Sequence, residues 1–161
     1  MLTRLKEYIW VFIVSMVPLI ELRGAVPIGV GMGLDLVPTY IIAVIGNILP
    51  VPVILLFAKQ VLLWCTRLPK VGGFFLKIWE KGVKGGDKLQ EKAGTSIYWA
   101  LFLFVGIPLP GTGAWSGALA ATILDLKFFP SLLAISGGVM LAGVIMGVAS
   151  SGVFGALGML F

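Results

Sequence analysis

PLIELRGAVPIGVGMG, at residues 18–33, decides the fold, because it interrupts an apolar run with Glu21, Arg23, two prolines and four glycines. The uncharged run before this break, residues 8–20, has 13 residues, whereas a spanning helix needs about 20. Hydrocarbon cannot hydrogen-bond freed backbone groups, so a broken helix survives in a membrane only where it is buried in protein or faces a wet cavity. The stretch therefore predicts irregular backbone inside a membrane protein, at half a span or at one arm of a re-entrant hairpin.

The composition indicates an all-α integral membrane protein. Of the 161 residues, 59% are hydrophobic and 12% are charged, and the mean hydropathy is +1.08. Soluble domains have roughly 25% charged residues. The length suits a single membrane domain, residues 1–161, and we expect a multi-pass protein of the cytoplasmic (inner) membrane. The N-terminal apolar run resembles a signal peptide, but no A-x-A-like cleavage site follows it, so we expect it to be retained.

The residue types exclude several chemistries. The chain has no histidine and one cysteine, Cys65, which leaves no internal disulfide, no His-ligated metal site and no His-based catalysis. The sequence shows no nucleophile–base pair, no Walker loop and no haem motif. We therefore expect neither an enzyme nor a cofactor.

A basic cluster lies in the middle of the chain. Seven of the twelve Lys and Arg residues fall between Arg67 and Lys92. Such a cluster beside apolar spans is typical of a cytoplasmic loop that contacts anionic lipid, so we expect no nucleic-acid partner. Residues 66–96 are predicted to be a linker with an interfacial helix, although a plain solvated linker is the alternative. One predicted face of that helix holds Val71, Phe75, Ile78 and Gly82.

The features of the first half recur in the second half. GIPLPGTGAWSG, at residues 106–117, breaks an uncharged run of 28 residues that extends from Ile97 to Leu124. A shift of 90 residues places the first Pro-Leu pair on Pro108-Leu109 and the first LDL turn on the second, residues 124–126. Glycine- and proline-interrupted segments at corresponding positions of two halves indicate a transporter's binding site.

The repeat predicts an architecture. Residues 8–64 and 97–161 would be two inverted repeats, each a re-entrant helical hairpin plus a transmembrane helix, with the hairpin tips meeting near the membrane midplane. The alternative is four continuous spanning helices, at about 8–33, 37–64, 97–123 and 129–151.

Arg23 is the sharpest functional signal. A charged side chain at the bilayer centre costs about 2.5–3.5 kcal/mol on insertion scales, so Arg23 is paired, wet or bound to an anion. Glu21 is the nearest partner, but positions i and i+2 do not face each other on a helix. They would meet only on non-helical backbone, or Arg23 would pair across to the second hairpin. Two hypotheses stay open: a structural Arg23–Glu21 lock that holds the hairpins together, or an anion site at Arg23 with Glu21 as a protonatable switch.

The second break contributes the rest of the predicted site. Glycines let backbone approach a ligand closely, and a helix N-terminus attracts anions through its free N–H groups and dipole. A simple packing kink is the alternative. Asn47, a polar residue in a predicted spanning helix, is expected to support the binding residues without contacting the ligand. The predicted binding residues are Glu21, Arg23, Gly24, Pro110, Gly111, Thr112, Gly113 and Trp115, supported by Pro18, Pro27, Asn47 and Pro108.

Three segments together resemble the small multi-drug export protein family. They are ELRGAVPIG at residues 21–29, GNILPVP at 46–52 and PLPGTGAWSGALAA at 108–121. That family is similar to the wider DedA superfamily of bacterial and archaeal membrane proteins. The resemblance implies two inverted repeats with re-entrant hairpins, and DedA-type relatives are implicated in moving polyprenyl-phosphate carrier lipids, with proton coupling proposed. Glu21 and Arg23 match the charged hairpin residues of those relatives, whereas residues 106–117 hold no charge.

Three functions follow as hypotheses. The first is a secondary transporter or flippase of an anionic lipid such as polyprenyl phosphate, which a groove open to lipid beside Arg23 would favour. The second is an exporter of small cationic or amphipathic compounds, which an aqueous acidic cavity would favour. The third is a structural protein that does not transport, which the absence of a cavity would favour. Membrane lipids and the substrate are the expected partners, and a homo-oligomer is left open.

Overall fold

A computed structural model describes residues 2–69 and 72–158, and this part of the chain is helical, without a strand. Lys70, Val71 and residues 159–161, which the sequence analysis assigned to the linker and the second repeat, lie outside the described residues, as does the side chain of Ile78. The helices are α1 (Leu2–Met16), α2 (Glu21–Gly31), α3 (Leu36–Ile48), α4 (Pro50–Cys65), α5 (Gly72–Ala93), α6 (Ser96–Gly106), α7 (Ala114–Ile123) and α8 (Phe128–Gly158).

Both predicted breaks are real interruptions of the helices. Residues 17–20 separate α1 from α2, and residues 107–113 separate α6 from α7. The alternative of four continuous helices is therefore wrong for 8–33 and for 97–123. Leu19, within the first break, and Glu21, the first residue of α2, adopt left-handed backbone, with φ of 75° and 52°. That conformation costs non-glycine residues roughly 1–2 kcal/mol each, so other contacts hold this turn in place.

Helices α1 and α2 form a helical hairpin, called hairpin 1 below. Arg4 Nη1 lies 3.9 Å from Asp35 Oδ2, so the start of α1 and the turn after α2 lie at the same end. Helices α6 and α7 form hairpin 2 in the same way, because the Tyr98 hydroxyl accepts a hydrogen bond from the Lys127 backbone N–H at 3.3 Å. Residues 17–20 and 107–113 are thus the tips of the two hairpins.

Within residues 2–69 and 72–158, two helical stretches are long and apolar enough to cross a membrane, Leu36–Cys65 and Phe128–Val153. The first comprises α3 and α4, which join through Leu49 with helical dihedral angles (φ −55°, ψ −42°). The two prolines that follow Leu49 therefore lie where α3 and α4 join, and the helical stretch does not end there. The second lies within α8, which continues to Gly158.

The long helices run antiparallel, and the hairpins open at opposite ends of them. The Tyr40 hydroxyl donates to the Met140 carbonyl at 3.2 Å, near the start of α3 and the middle of α8. At the other end, Lys59 Nζ lies 2.6 Å from Asp125 Oδ1, beside the open end of hairpin 2. Asp35 lies at the open end of hairpin 1, just before α3, whereas Lys59 lies in the second half of α4. Because a helix rises by about 1.5 Å per residue, almost the full length of α3 and α4 separates these two residues.

Helix α5 covers most of the predicted linker and docks through its glycines. A Cβ atom on Gly86 would lie 2.0 Å from the Leu124 carbonyl oxygen, and one on Gly82 would lie 2.5 Å from that of Ile123. The backbone of α5 therefore rests directly on the backbone at the end of α7. The Trp79 ring lies 5.1 Å from Lys59 Nζ, which adds a cation–π contact between α5 and α4.

The docking of α5 makes a prediction about two adjacent glycines. Gly86→Ala should lower the free energy of unfolding by about 1–3 kcal/mol, because the new methyl group overlaps backbone that cannot move aside cheaply. Gly85→Ala is the matched control, since its Cβ would meet nothing nearer than a Leu124 side-chain carbon at 3.9 Å. Thermal unfolding of the purified variants in detergent measures both. Equal stability of the two variants would contradict the docking.

Candidate functional site

Glu21 caps the N-terminus of α7 across the two hairpins. Its carboxylate accepts the backbone N–H of Ala114 at 3.2 Å and that of Trp115 at 3.0 Å. The first N–H groups of a helix have no partner within the helix, and the helix dipole favours a negative charge there. The carboxyl group is buried, with 5% of Glu21 exposed. The second hairpin thus supplies the hydrogen-bond donors that the buried Glu21 carboxylate needs.

Gly113 permits this approach. A Cβ atom at this position would lie 2.0 Å from Glu21 Oε2, and the residue has φ of 147°. A side chain here would both overlap the carboxylate and strain the backbone. The last glycine of the PGTG motif is therefore explained by the Glu21 carboxylate.

Arg23 binds the other end of the same break. Its guanidinium donates to the carbonyl of Leu109, to those of Val105 and Ile107 at 3.3 Å each, and to Thr112 Oγ1 at 2.7 Å. The last carbonyls of α6 have no partner within the helix, and the negative end of the helix dipole favours a cation. Arg23 therefore stabilises the C-terminal end of α6.

Glu21 and Arg23 bind the second hairpin instead of forming an ion pair with each other. Within the described residues the ion pairs closer than 4.0 Å are Arg4–Asp35 and Lys59–Asp125. The lock is thus a contact between hairpins, in which a carboxylate holds the start of α7 and a guanidinium holds the end of α6. Trp115 adds a third tie, because its indole N–H donates to the carbonyl of Met16, the last residue of α1, at 3.1 Å.

A cleft of about 390 Å³ lies beside these contacts. Its rim is apolar, and Leu19, at the tip of hairpin 1, is 94% exposed. Eight of the twelve predicted site residues line it, together with five that the sequence analysis did not assign. The lining is Pro18, Leu19, Glu21, Arg23, Pro108, Leu109, Pro110, Gly111, Thr112, Trp115, Ser116, Leu119 and Met146.

The other predicted residues lie elsewhere. Gly113 contacts Glu21, as described above, whereas Gly24 packs against Ile20 and Pro27 lies inside α2. Asn47 is buried on α3 and, together with Glu21 and Arg23, lines a narrow gap that is too small to hold a water molecule. Among the residues that were missed, Leu119 lies three and four positions after Ser116 and Trp115, a spacing that places residues on one face of a helix. No local signal identifies Met146 on α8.

The chain was compared with known proteins. Residues 21–145 match the family model described as "Putative small multi-drug export protein". The match begins at Glu21, includes both hairpin tips and covers well over half of the chain. This chain belongs to the small multi-drug export protein family. A search of curated proteins finds no match, and a search of solved structures finds none either.

In this member of the small multi-drug export family, Thr112 tests the Arg23 contact. The Thr112 hydroxyl accepts a hydrogen bond from the Arg23 guanidinium and donates one to the Ile107 carbonyl at 2.9 Å. Thr112→Val should lower the free energy of unfolding by about 1–3 kcal/mol, because it leaves polar groups in the break without a partner. Thr112→Ser keeps the hydroxyl and should unfold near the wild-type temperature. A valine variant as stable as the serine variant would contradict the assigned contact.

Proposed function

We propose that this family member is a secondary transporter or flippase that carries an anionic lipid, such as a polyprenyl phosphate, through the cleft beside Arg23. The observation that carries the proposal is the pairing of a guanidinium with an apolar, open rim in one cleft. The exposed Leu19 and Leu109 side chains suit a hydrocarbon tail. Arg23 and Thr112 suit an anionic head, since intramembrane charges mark substrate pathways.

The proposal includes a placement in the membrane. We infer that hairpins 1 and 2 are re-entrant and enter from opposite faces, so that residues 8–64 and 97–161 form two inverted repeats. Support comes from their open ends, which Asp35 and Asp125 mark at opposite ends of the long helices. Tips that satisfy each other's backbone meet the requirement for irregular structure at membrane depth. The proposed relation to the DedA superfamily rests on this architecture and on the resemblance.

The distribution of charge gives the proposed orientation. Lys59 and α5 lie at one end of the long helices, and most of the Lys and Arg residues belong to this region. Excess Lys and Arg mark the cytoplasmic side, so hairpin 2 would open to the cytoplasm. The exposed Lys77, Lys81 and Lys84 side chains of α5 would then face anionic headgroups of the cytoplasmic membrane.

Two other functions have a specific observation behind them. The family description favours an exporter of small cationic or amphipathic compounds. The burial of Glu21 and its two backbone partners speak against a free acidic site for a cation. A structural protein that does not transport is favoured by the fact that the contacts of Arg23 lie within the protein.

Transport by a cleft-blocked variant distinguishes these functions. Leu119 lines the cleft without taking part in the lock, so Leu119→Trp narrows the cleft and leaves Glu21 and Arg23 in place. We expect the rate of lipid-phosphate transport into proteoliposomes to fall about tenfold, equivalent to ~1.4 kcal/mol in the barrier. Leu103→Trp, an exposed position on α6 away from the cleft, is the control and should transport like wild type.

The assay should compare a labelled polyprenyl phosphate with a labelled lipophilic cation. Faster movement of the cation, blocked by the same variant, would replace the proposed substrate with the exporter's substrate. Movement of neither compound above empty liposomes would favour the structural protein.

A further inference from the structure

A groove of about 410 Å³ lies between α6 and α8, and the proposed function does not use it. Helix α8 contributes four residues that share one helix face, because they are spaced i, i+3, i+4 and i+7: Pro130, Leu133, Ala134 and Gly137. The next residue, Gly138, packs against α6, since its Cβ atom would lie 2.7 Å from the Phe102 carbonyl oxygen. The two helices therefore touch at Gly138 and leave a groove beside the small residues Ala134 and Gly137.

The other wall of the groove is aromatic. Tyr98, Trp99 and Phe102 of α6 line it, and the rings of Trp99 and Phe102 meet edge to face with their centroids 5.8 Å apart. Trp99 is 64% exposed and none of the lining residues is charged, so the groove is open and apolar. From Pro130 to Gly137 it follows α8 for about 10 Å, at 1.5 Å per residue. This shape fits an extended hydrocarbon chain.

The end of the groove at Tyr98 offers two groups that suit an anionic head. The Tyr98 hydroxyl accepts the Lys127 backbone N–H at 3.3 Å, and its own hydrogen has no acceptor among the described residues. The exposed Lys127 side chain starts from the same point and forms no ion pair within residues 2–69 and 72–158. Asp125, two residues before it, binds Lys59 instead. A hydroxyl donor and an unpaired ammonium group complement a phosphate.

We propose that this groove binds one anionic phospholipid, with an acyl chain between α6 and α8 and the phosphate beside Tyr98 and Lys127. The site is separate from the cleft and does not depend on transport through it. A second copy of the chain is the other candidate occupant. Copies in one membrane share one orientation, so a second copy would bring its own Lys127 and the lysines of α5 to the same level, where like charges repel. The charge therefore favours an anionic lipid.

Quenching of Trp99 fluorescence by brominated lipid tests the site. The protein is reconstituted in phosphatidylcholine bilayers with increasing fractions of phosphatidylglycerol brominated on an acyl chain, and the emission of Trp99→Phe is subtracted from that of the wild type. Trp99 should be quenched at a fraction about fivefold lower than with brominated phosphatidylcholine, as expected from one lysine beside an anionic headgroup. Equal quenching by the two brominated lipids would overturn the assignment.

Two lysine variants distinguish the groove from the rest of the basic surface. Each is measured with and without Trp99→Phe, as for the wild type. Lys127→Gln should abolish the preference of Trp99 for phosphatidylglycerol over phosphatidylcholine. Lys84→Gln removes an exposed charge from α5 and should keep the preference. If the two variants have the same effect, the headgroup is not bound at Lys127 and the assignment is overturned.

A filled groove tests the position of the acyl chain. Ala134→Leu places a larger side chain in the groove and should abolish the preference for phosphatidylglycerol. Ala149→Leu makes the same change at an exposed position of α8 outside the groove and should behave like the wild type. A preference that survives equally in both variants would overturn the site. If Ala134→Leu does not fold, the two lysine variants still decide the outcome.

Cross-linking tests the other occupant. Leu133 is an exposed residue of the groove, so Leu133→Cys in a Cys65→Ser background should stay monomeric under oxidation in bilayers when a lipid covers it. Dimers linked by a disulfide at position 133 would show that a second copy covers the groove and would overturn the lipid site. A failure of lipid-phosphate transport through the cleft would contradict the proposed function and leave this site standing.

Discussion

The backbone groups that the two helix breaks leave free need hydrogen-bond partners, and the contacts between the two hairpins follow from this constraint. The chain breaks helices at two hairpin tips and satisfies much of the second break with side chains from the first hairpin. Glu21 takes free N–H groups at the start of α7, and Arg23 takes free carbonyls at the end of α6. A buried carboxylate and a half-buried guanidinium thereby lie next to the two helix ends whose dipoles favour them.

This arrangement depends on Glu21 and Arg23 being two residues apart. On a helix, positions i and i+2 point in different directions, so the two side chains diverge. Glu21 starts α2 with left-handed backbone, which sends its carboxylate to α7 while the guanidinium reaches α6. A direct pair between them would leave both ends of the second break unsatisfied. The same interaction thus stabilises the fold and forms one wall of the cleft.

The elements with local signals were predictable from the sequence. Glycine and proline marked both breaks, charge marked the first one, and the two LDL segments marked the turns that lead into the long apolar helices. The docking of α5 was not predictable, because Gly82 and Gly86 act through a close approach to the distant end of α7.

The candidate site was predicted in composition but not in detail. The tips of both hairpins were identified, and most of the predicted residues line one cleft. The sequence suggested free N–H groups for a ligand at Gly113 and its neighbours, whereas Glu21 already binds the donors that follow. That contact joins residues more than ninety positions apart, so only the tertiary structure reveals it. The position of Met146 in the cleft and the lack of a partner for Asn47 Oδ1 also result from long-range packing.

The central claim is that the Glu21 carboxylate binds the start of α7. Solid-state NMR of the protein in lipid bilayers, with ¹³C in the glutamate carboxyl groups and ¹⁵N in the tryptophan backbone, measures this contact directly. At neutral pH the account predicts strong dipolar dephasing that disappears when Trp115→Phe removes the label, because Oε1 lies 3.0 Å from the Trp115 nitrogen. Identical dephasing in the wild type and in Trp115→Phe would contradict it.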